Sequence, residues 1–343
     1  MRLADHIAQS RLPFYVRNTR SSEVVRLNGV ADYADQVLRC PIRYVLSDEL
    51  ARLCTALAYS RGARGLAWAD LLHVPAECLW VEWCEAPCHE ELERYGFRPV
   101  ERAAPISGRR GALIRSTVKG RRGQIKTFWS GGHAELDVAA SSMEAYFDFD
   151  TPDGAAPDPP DGDPTPAITV FDDALRRSDI LRRCFRFRFE RSWSAYYARS
   201  GLSPTQTDAI ARHALGTIAL DIPILLTFLA LLMTRPGIPR RPLMLERLNC
   251  ARSRAGKRPL LPAIEVFSPL PPECLPRAPA GPDSGRRSPR LHHVRGHLVR
   301  RGGRVSWRVP HLRGSGRAGV VRSRTVTWTI DAPGGGAPAE GPP

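Results

Sequence analysis

The C-terminal part of the chain contains a long stretch in which basic residues have no acidic counterpart. Between Asp283 and Asp331 there are twelve arginines and no carboxylate. Like charges at this density repel one another, so the stretch cannot fold as a neutral packed unit. It needs either solvent or a polyanion over its surface. The stretch 284–330 is therefore expected to fold separately from the residues before it, whose composition allows an ordinary hydrophobic core.

The basic stretch repeats a short motif. The tetrad His-x-Arg-Gly occurs at 293–296 and again at 311–314, and each copy is followed by an apolar segment with a tryptophan. The Gly-Gly pair at 302–303 predicts a hairpin turn between strands 297–301 and 304–309. A further strand is predicted through 320–330. We therefore expect a small antiparallel β module at 289–331.

The net charge of +15 comes almost entirely from arginine, since only Lys119, Lys126 and Lys257 are lysine. A GC-rich genome explains much of this total, because its codons also supply alanine, glycine and proline. Codon usage does not explain why acids are missing only after Asp283. Guanidinium groups bind phosphate through two parallel hydrogen bonds and stack on rings, so arginine favours a nucleic-acid partner.

The remaining composition indicates a cytoplasmic protein. Residues 1–6 begin no apolar signal segment. The longest uncharged apolar run, 222–233, is too short to cross a bilayer and contains Pro223. Eight cysteines without a framework spacing indicate reduced thiols. No membrane association is expected.

The predicted fold class is α+β, and composition divides the chain into six segments. They are a mixed α/β domain (1–150), a Pro/Asp/Gly linker (151–165), a mainly helical region (166–267), a Pro-rich linker (268–288), the Arg/His-rich β module (289–331) and a disordered tail (332–343).

Local patterns place several elements within these segments. Ser47 is predicted to cap a helix that runs to residue 60, and strands are expected at 79–83, 111–117, 124–130 and 143–149. Ser203, Pro204 and Gln206 predict a capped helix start. A separate helix is expected at 222–234, and a basic one at 243–255 ends before Gly256.

The C-terminal third resembles a group of uncharacterised proteins of tailed phages and prophages. The resemblance lies in the run 248–261 and in 289–300, which has an R-x-H-x-R-x-G-H-like core followed by a tryptophan strand. The strand 79–83 resembles their acidic, aromatic strand more loosely. His311 in the second tetrad departs from the pattern. The resemblance implies phage or prophage descent, and therefore a bacterial host cell, but no particular activity.

Two basic surfaces are candidate sites for nucleic-acid binding. The principal candidates in the module are Arg290, Arg295, Arg300, Arg301, Arg304, Arg308, Arg313, Arg322 and Arg324, with Trp307 or Trp328 as a stacking face. A secondary basic helix carries Arg247, Arg252, Arg254, Lys257 and Arg258. We expect contacts to phosphates with little base specificity.

Two alternatives remain open for the module. The protein could be a structural or protein-interaction component of phage assembly or host takeover, with no nucleic-acid role and with arginines that meet an acidic protein. Alternatively, His293 and His311 could act as base and acid of a metal-independent ribonuclease, with arginine stabilising the phosphorane. Neither a nucleotide-binding fingerprint nor a common hydrolase motif occurs, so no enzyme class is assigned.

No metal or cofactor is predicted. Cys78, Cys84, Cys88 and His89 are ligand types that lie close together in sequence, but no second cysteine pair follows at zinc-finger spacing. Acidic rows at 82–93 and 144–150 are expected to be solvated surface. A second possibility is that these acids cover the arginine module.

Overall fold

The protein has the predicted α+β fold, with helices packed on a mixed sheet. The computed structural model describes residues 2–18, 22–59, 69, 72–94, 108–117, 120–130, 138–150, 179–234, 237–269, 290–294, 297–301, 304–308, 311–313 and 315–320. From residue 290 onward the description covers backbone and strand pairing. The predicted linker 151–165, most of the linker 268–288 and the tail 332–343 lie outside the described residues.

The described residues form the following elements. The helices are α1 (Leu3–Gln9), α2 (Ala34–Arg39), α3 (Asp48–Tyr59), α4 (Glu85–Arg94), α5 (Asp179–Cys184), α6 (Arg191–Arg199), α7 (Pro204–Leu232) and α8 (Glu246–Arg254), with a 3-10 turn at Val30–Tyr33. The strands of the body are β1 (Phe14–Arg17), β2 (Val24–Leu27), β3 (Ile42–Leu46), β4 (Cys78–Cys84), β5 (Arg109–Ser116), β6 (Arg122–Ser130), β7 (Val138–Ala140), β8 (Met143–Asp148), β9 (Phe185–Phe189), β10 (Arg240–Pro242) and β11 (Ile264–Val266). The C-terminal strands are β12 (Arg290–Val294), β13 (His297–Arg301), β14 (Arg304–Arg308), β15 (His311–Arg313) and β16 (Ser315–Val320).

Nine strands form one mixed sheet in the order β10-β11-β3-β4-β5-β6-β8-β9, with β7 also paired to β6. β3 is parallel to β4 and β11, and the other neighbours are antiparallel. β9 pairs with β8 across the chain segment 149–184, and β11 pairs with β3. The predicted helical region 166–267 therefore adds strands to the sheet of the N-terminal part.

The strands and the first helix predicted by local pattern are confirmed. Ser47 accepts a hydrogen bond from the backbone N–H of Leu50 at 3.3 Å, as an N-cap does. β4, β5, β6 and β8 cover the four predicted strand segments. In β8, Met143, Ala145 and Phe147 enter one hydrophobic cluster while the intervening residues lie on the opposite face.

The two faces of the sheet carry different layers. On one side, which we call the α7 face, buried residues of β3 to β9 pack against α3 and α7. On the other side, the α1 face, Trp80, Leu113 and Phe128 pack against α1, α2 and the 3-10 turn. Strand residues alternate between these layers with the period of two that a pleated strand imposes.

The prediction of two helices across 203–234 is wrong, because α7 is one helix of 29 residues. The predicted capping box is present: Ser203 Oγ accepts from the Gln206 N–H at 3.2 Å, and Gln206 Oε1 accepts from the Ser203 N–H at 3.0 Å. Pro223 lies inside the helix and removes one backbone donor. Full burial of Ile222 and Phe228 on either side offsets that cost, since each such side chain contributes about 1.5–3 kcal/mol.

The length of α7 also bears on the membrane prediction. By length and composition the helix could cross a membrane, although its apolar run was expected to be too short. Its most apolar window is 82% buried inside the protein. This burial fits the core helix of a soluble protein.

On the α1 face, Glu190 connects the start of α6 to β6, to the 3-10 turn and to the segment that follows β2. One carboxylate oxygen, Oε2, accepts from Lys126 Nζ of β6 at 2.8 Å, and the other accepts from the Tyr33 hydroxyl at 2.7 Å. Asn28, just after β2, also donates to Glu190. Lys126 is only 1% exposed, and its ammonium lies 4.9 Å from the centre of the Tyr33 ring. Burial and the neighbouring carboxylates raise the pKa of the Tyr33 hydroxyl, which therefore stays a donor.

A second buried ionic cluster lies on the α7 face. Arg110 of β5 is 2.6 Å from Glu85 Oε1, at the start of α4, and 3.6 Å from Asp221 Oδ2 in α7. His89 Nε2 lies 3.0 Å from the same Glu85 oxygen. The guanidinium also lies 5.7 Å from the centre of the Trp129 ring. Asp221 and Glu85 raise the pKa of Arg110 against the effect of burial. The cluster connects the sheet to α4 and α7.

The expectation that the acidic rows are solvated is wrong for most of their members. Glu82, Glu85, Glu91, Glu144 and Asp148 are all buried. Glu82 Oε2 accepts from the N–H of Ala4 at the start of α1 and from Trp80 Nε1, both at 3.0 Å, and Glu82 Oε1 accepts from Arg109 at 2.9 Å. A carboxylate at a helix N-terminus is also favoured by the helix dipole.

Replacing Arg110 by alanine should lower the free energy of unfolding by about 3–5 kcal/mol, because Glu85 and Asp221 would stay buried but lose the guanidinium that they share. Urea unfolding followed by tryptophan fluorescence measures this change. Arg17→Ala, on the exposed strand β1, is the control and should change stability by no more than about 0.5 kcal/mol. A loss below about 1 kcal/mol for Arg110→Ala would contradict the structural role of the cluster.

Candidate nucleic-acid interface

The basic helix predicted at 243–255 is α8, and it belongs to the outermost strand pair of the sheet. β10 and β11 pair antiparallel, and α8 lies in the connection between them. The helix ends where Gly256 adopts a φ of +66°, a conformation that glycine accommodates without strain. The prediction of a glycine stop is confirmed.

No side chain of α8 is buried. Arg247, Arg254, Lys257 and Arg258 are exposed, and Arg252 is half-buried with its Nε donating to the Arg258 carbonyl at 2.8 Å. Glu246 is the single acidic residue of the helix. Two apolar residues share this exposure: Met244 is 79% exposed and Leu248 is 49% exposed. A nine-residue helix gains little from intrinsic propensity, so α8 depends on the contacts that attach it to the sheet.

The attachment of α8 depends on polar contacts of its connecting loop. Asn249 Nδ2 donates to the Leu260 carbonyl at 3.0 Å, and the Leu260 N–H donates to Asn249 Oδ1 at 2.8 Å. The next residue, Leu261, donates its N–H to Asp5 Oδ1 at 2.8 Å, while Arg2 donates to its carbonyl. These bonds fix the loop against α1 and leave the arginine side of α8 uncovered by the described residues.

The basic surface of α8 extends to two arginines of β10 that were not among the predicted site residues. Arg240 and Arg241 of β10 are both exposed and precede α8 by a few residues. Arg241 lies 2.8 Å from Glu265 and 5.1 Å from the centre of the Phe267 ring, whereas no described carboxylate pairs with Arg240. The Arg-Arg pair was visible in the sequence, but its connection to the helix depends on the β10–β11 pairing.

In the module, the predicted hairpin around 302–303 is confirmed by the pairing of β13 with β14. Residues directly opposite each other share a face, and faces alternate along the ladder. The pairs His297↔Arg308, Val299↔Ser306 and Arg301↔Arg304 therefore share one face. Leu298↔Trp307 and Arg300↔Val305 share the other. Arg301, Arg304 and Arg308 lie together on a basic face, and Trp307 and Arg300 do not.

The two tetrads are brought together by antiparallel pairing of β12 with β15. His293 lies opposite Leu312, and Val294 lies opposite His311. His293 and His311 are therefore at positions of opposite parity and belong to opposite faces of the pair. His292, opposite Arg313, shares the face of His311. This placement does not bring the two histidines of the ribonuclease alternative to one face.

The remaining candidates of the module are only partly placed. Arg290 begins β12, where it pairs with Ser315 of the parallel strand β16. Arg295, Arg322, Arg324 and Trp328 lie outside the described residues. The last predicted strand, 320–330, lies outside them too, except for its first residue at the end of β16.

The acids of the body have partners of their own. Glu144 accepts from the Tyr146 hydroxyl at 2.8 Å, Asp148 lies 3.0 Å from Arg122, and Asp150 pairs with Arg121. The buried members of the acidic rows are therefore not positioned to cover an arginine surface. Within the described ranges, no group of three metal-ligating side chains comes together.

No protein-family model, curated protein or solved structure matches this chain. The resemblance to phage and prophage proteins therefore stays a prediction.

Because α8 buries no side chain, its amides should exchange with solvent through local opening far more readily than those of α7, which has a fully buried core segment. Hydrogen exchange read by mass spectrometry tests this, with peptides of α7 as the internal control. Exchange in α8 as slow as in α7 would show that the helix is held by contacts beyond those of Asn249.

Proposed function

We propose that this protein binds nucleic acid through its phosphates, with little base specificity. The observation that carries the proposal is the surface of α8 and its C-terminal end, where Arg247, Arg254, Lys257 and Arg258 are exposed and no helix side chain is fully buried. The same proposal includes phage or prophage descent and a cytoplasmic location.

The geometry of α8 suits a nucleic-acid backbone. Arg247 and Arg254 are seven residues apart, two turns of helix, so they lie on the same side about 10 Å apart along the axis. Phosphates of one strand follow each other at about 3.4 Å of axial rise in a duplex, so the distance between Arg247 and Arg254 matches about three phosphate-to-phosphate steps. Lys257 and Arg258 extend the charge beyond the helix end.

The C-terminal module adds a second cationic surface to the proposal. The register of β13 and β14 places Arg301, Arg304 and Arg308 on one face, with His297 opposite Arg308. A row of this kind supplies positive charge but no arrangement of donors and acceptors specific to a base, so it supports binding to any sequence. Docking to an acidic protein remains the alternative outcome.

Replacing both Arg247 and Arg254 by alanine should weaken binding to single-stranded RNA and DNA alike. Each lost phosphate contact lowers the dependence of log K on log salt by about one unit, so the double variant should lose about two units. Fluorescence anisotropy with labelled oligonucleotides over a salt series measures both quantities.

The matched control is the double variant Arg17→Ala with Arg199→Ala, which removes the same charge from exposed positions on β1 and α6. Its salt dependence should stay that of the unmodified protein. Equal losses in both double variants would show a diffuse effect of net charge and would contradict α8 as the interface. Binding of polyglutamate at the same salt, without binding of the oligonucleotides, would favour the protein-docking alternative.

A further inference from the structure

Two cysteines meet on the α1 face where β3 and β4 begin. Cys40 is the C-cap of α2, and Cys78 is the first residue of β4. The parallel pairing of Ile42 with Leu79 places the two chain segments side by side. Both side chains belong to the same hydrophobic cluster and both are free thiols, and the Cys40 thiol donates to the Ile42 carbonyl at 3.3 Å. Neither residue has a part in the proposed nucleic-acid interface.

Two arginines flank this pair. Arg115 of β5 lies directly opposite Cys78 in the strand register. Arg43 of β3 pairs with Trp80, two residues further along β4, and so belongs to the same face as Cys78. The Arg43 guanidinium is fixed there because it donates to the carbonyls of Val37 and Leu38, at 2.8 and 2.6 Å.

The surroundings distinguish the two thiols. The adjacent Cys40 thiol, together with Arg115 and Arg43, lowers the pKa of Cys78. The adjacent Cys78 side chain and burial raise the pKa of Cys40, which is only 2% exposed. Cys78 is half-buried and therefore within reach of a small reagent. A thiolate that is accessible and lies beside a second, protonated thiol has the features of a nucleophile with a resolving cysteine.

Other described cysteines lack this combination. Burial raises the pKa of Cys88 to about 12 and also raises the pKa of Cys54. Cys250 on α8 is exposed. Cys84 is the closest match to Cys78: it lies on the same strand and face, is half-buried and pairs with Arg109. The thiol nearest to Cys84 in the hydrogen-bond network is that of Cys88, which donates to the Cys84 backbone carbonyl at 3.8 Å and not to its sulfur.

We propose that Cys78 and Cys40 form a redox-active dithiol, which a small-molecule disulfide such as oxidised glutathione converts reversibly to an intramolecular disulfide. The Cys78 thiolate attacks one sulfur of the oxidant, forms a mixed disulfide and releases the first thiolate. Cys40 then attacks Cys78 Sγ, gives up its proton and releases the second. Two protein thiols are oxidised, and one oxidant molecule is reduced to two thiols.

The disulfide would tie the end of α2 to the start of β4. It would close the loop between residues 40 and 78 in the unfolded chain and so raise the thermal midpoint of the oxidised protein. The affected layer is the one that Glu82 and Glu190 attach to the sheet. Oxidation should therefore stiffen the α1 face.

The full-length reduced protein, equilibrated with mixtures of reduced and oxidised glutathione, tests the proposal. After free thiols are blocked by alkylation, peptide mass spectrometry should find a Cys40–Cys78 linkage with a mass loss of two hydrogens. In Cys40→Ser the linkage should be replaced by glutathione on Cys78. In Cys78→Ser, Cys40 should remain unmodified.

Cys84→Ser is the matched control, and its Cys40–Cys78 linkage should form as in the unmodified protein. The proposal is overturned if Cys40 and Cys78 are still alkylated at a ratio of reduced to oxidised glutathione at which the exposed Cys250 already carries glutathione. It is also overturned if Cys78 in the Cys40→Ser variant gains glutathione no faster than Cys84 does. Circular dichroism of each reduced variant confirms that the fold is retained, so these outcomes report on thiol chemistry.

Discussion

Burying an ionised side chain in a sheet requires an opposite charge or several donors within hydrogen-bonding distance, and the large sheet meets this requirement at three places. Glu82 satisfies the first turn of α1 and Arg109, Glu190 binds Lys126, and Glu85 with Asp221 encloses Arg110. Each cluster connects a strand to a neighbouring layer. The charges that hold the layers together are therefore already neutralised inside the body.

Because these buried ion pairs use acidic residues of the body, basic residues outnumber acidic ones on the surface of α8. Many acids of the N-terminal part are used in buried contacts, while the basic residues of α8 face outward with Glu246 as their one acidic neighbour in the helix. The Asn249 side chain holds the helix to the Leu260 backbone, and the Leu261 N–H donates to Asp5, while Arg247 and Arg254 stay exposed. The proposed partner is a polyanion, because neutralising phosphates with arginine and lysine releases the counterions condensed on them.

Much of the fold could be predicted from local pattern, and the errors have physical reasons. Alternation identified β8, and the capping residues of α3 and α7 were correct because caps and pleats are local. The pairing of β9 with β8 and of β11 with β3 could not be predicted, since it depends on contacts far apart in the chain. Pro223 suggested a break in α7, but burial on both sides outweighs the lost donor. Acids in a row look the same in sequence whether water or an arginine faces them, so Glu82 and Glu85 were misplaced.

In the candidate site, too, local features could be predicted from the sequence and features that depend on tertiary packing could not. The charge of α8 and its stop at Gly256 were evident from the sequence, but the absence of buried side chains on the helix was not. The most direct test of the account is the affinity of the unmodified protein for a fluorescent single-stranded oligonucleotide at two salt concentrations. The account predicts binding at low salt that weakens steeply at the higher salt, for RNA and DNA alike. An affinity independent of salt, or no binding at low salt, would contradict it.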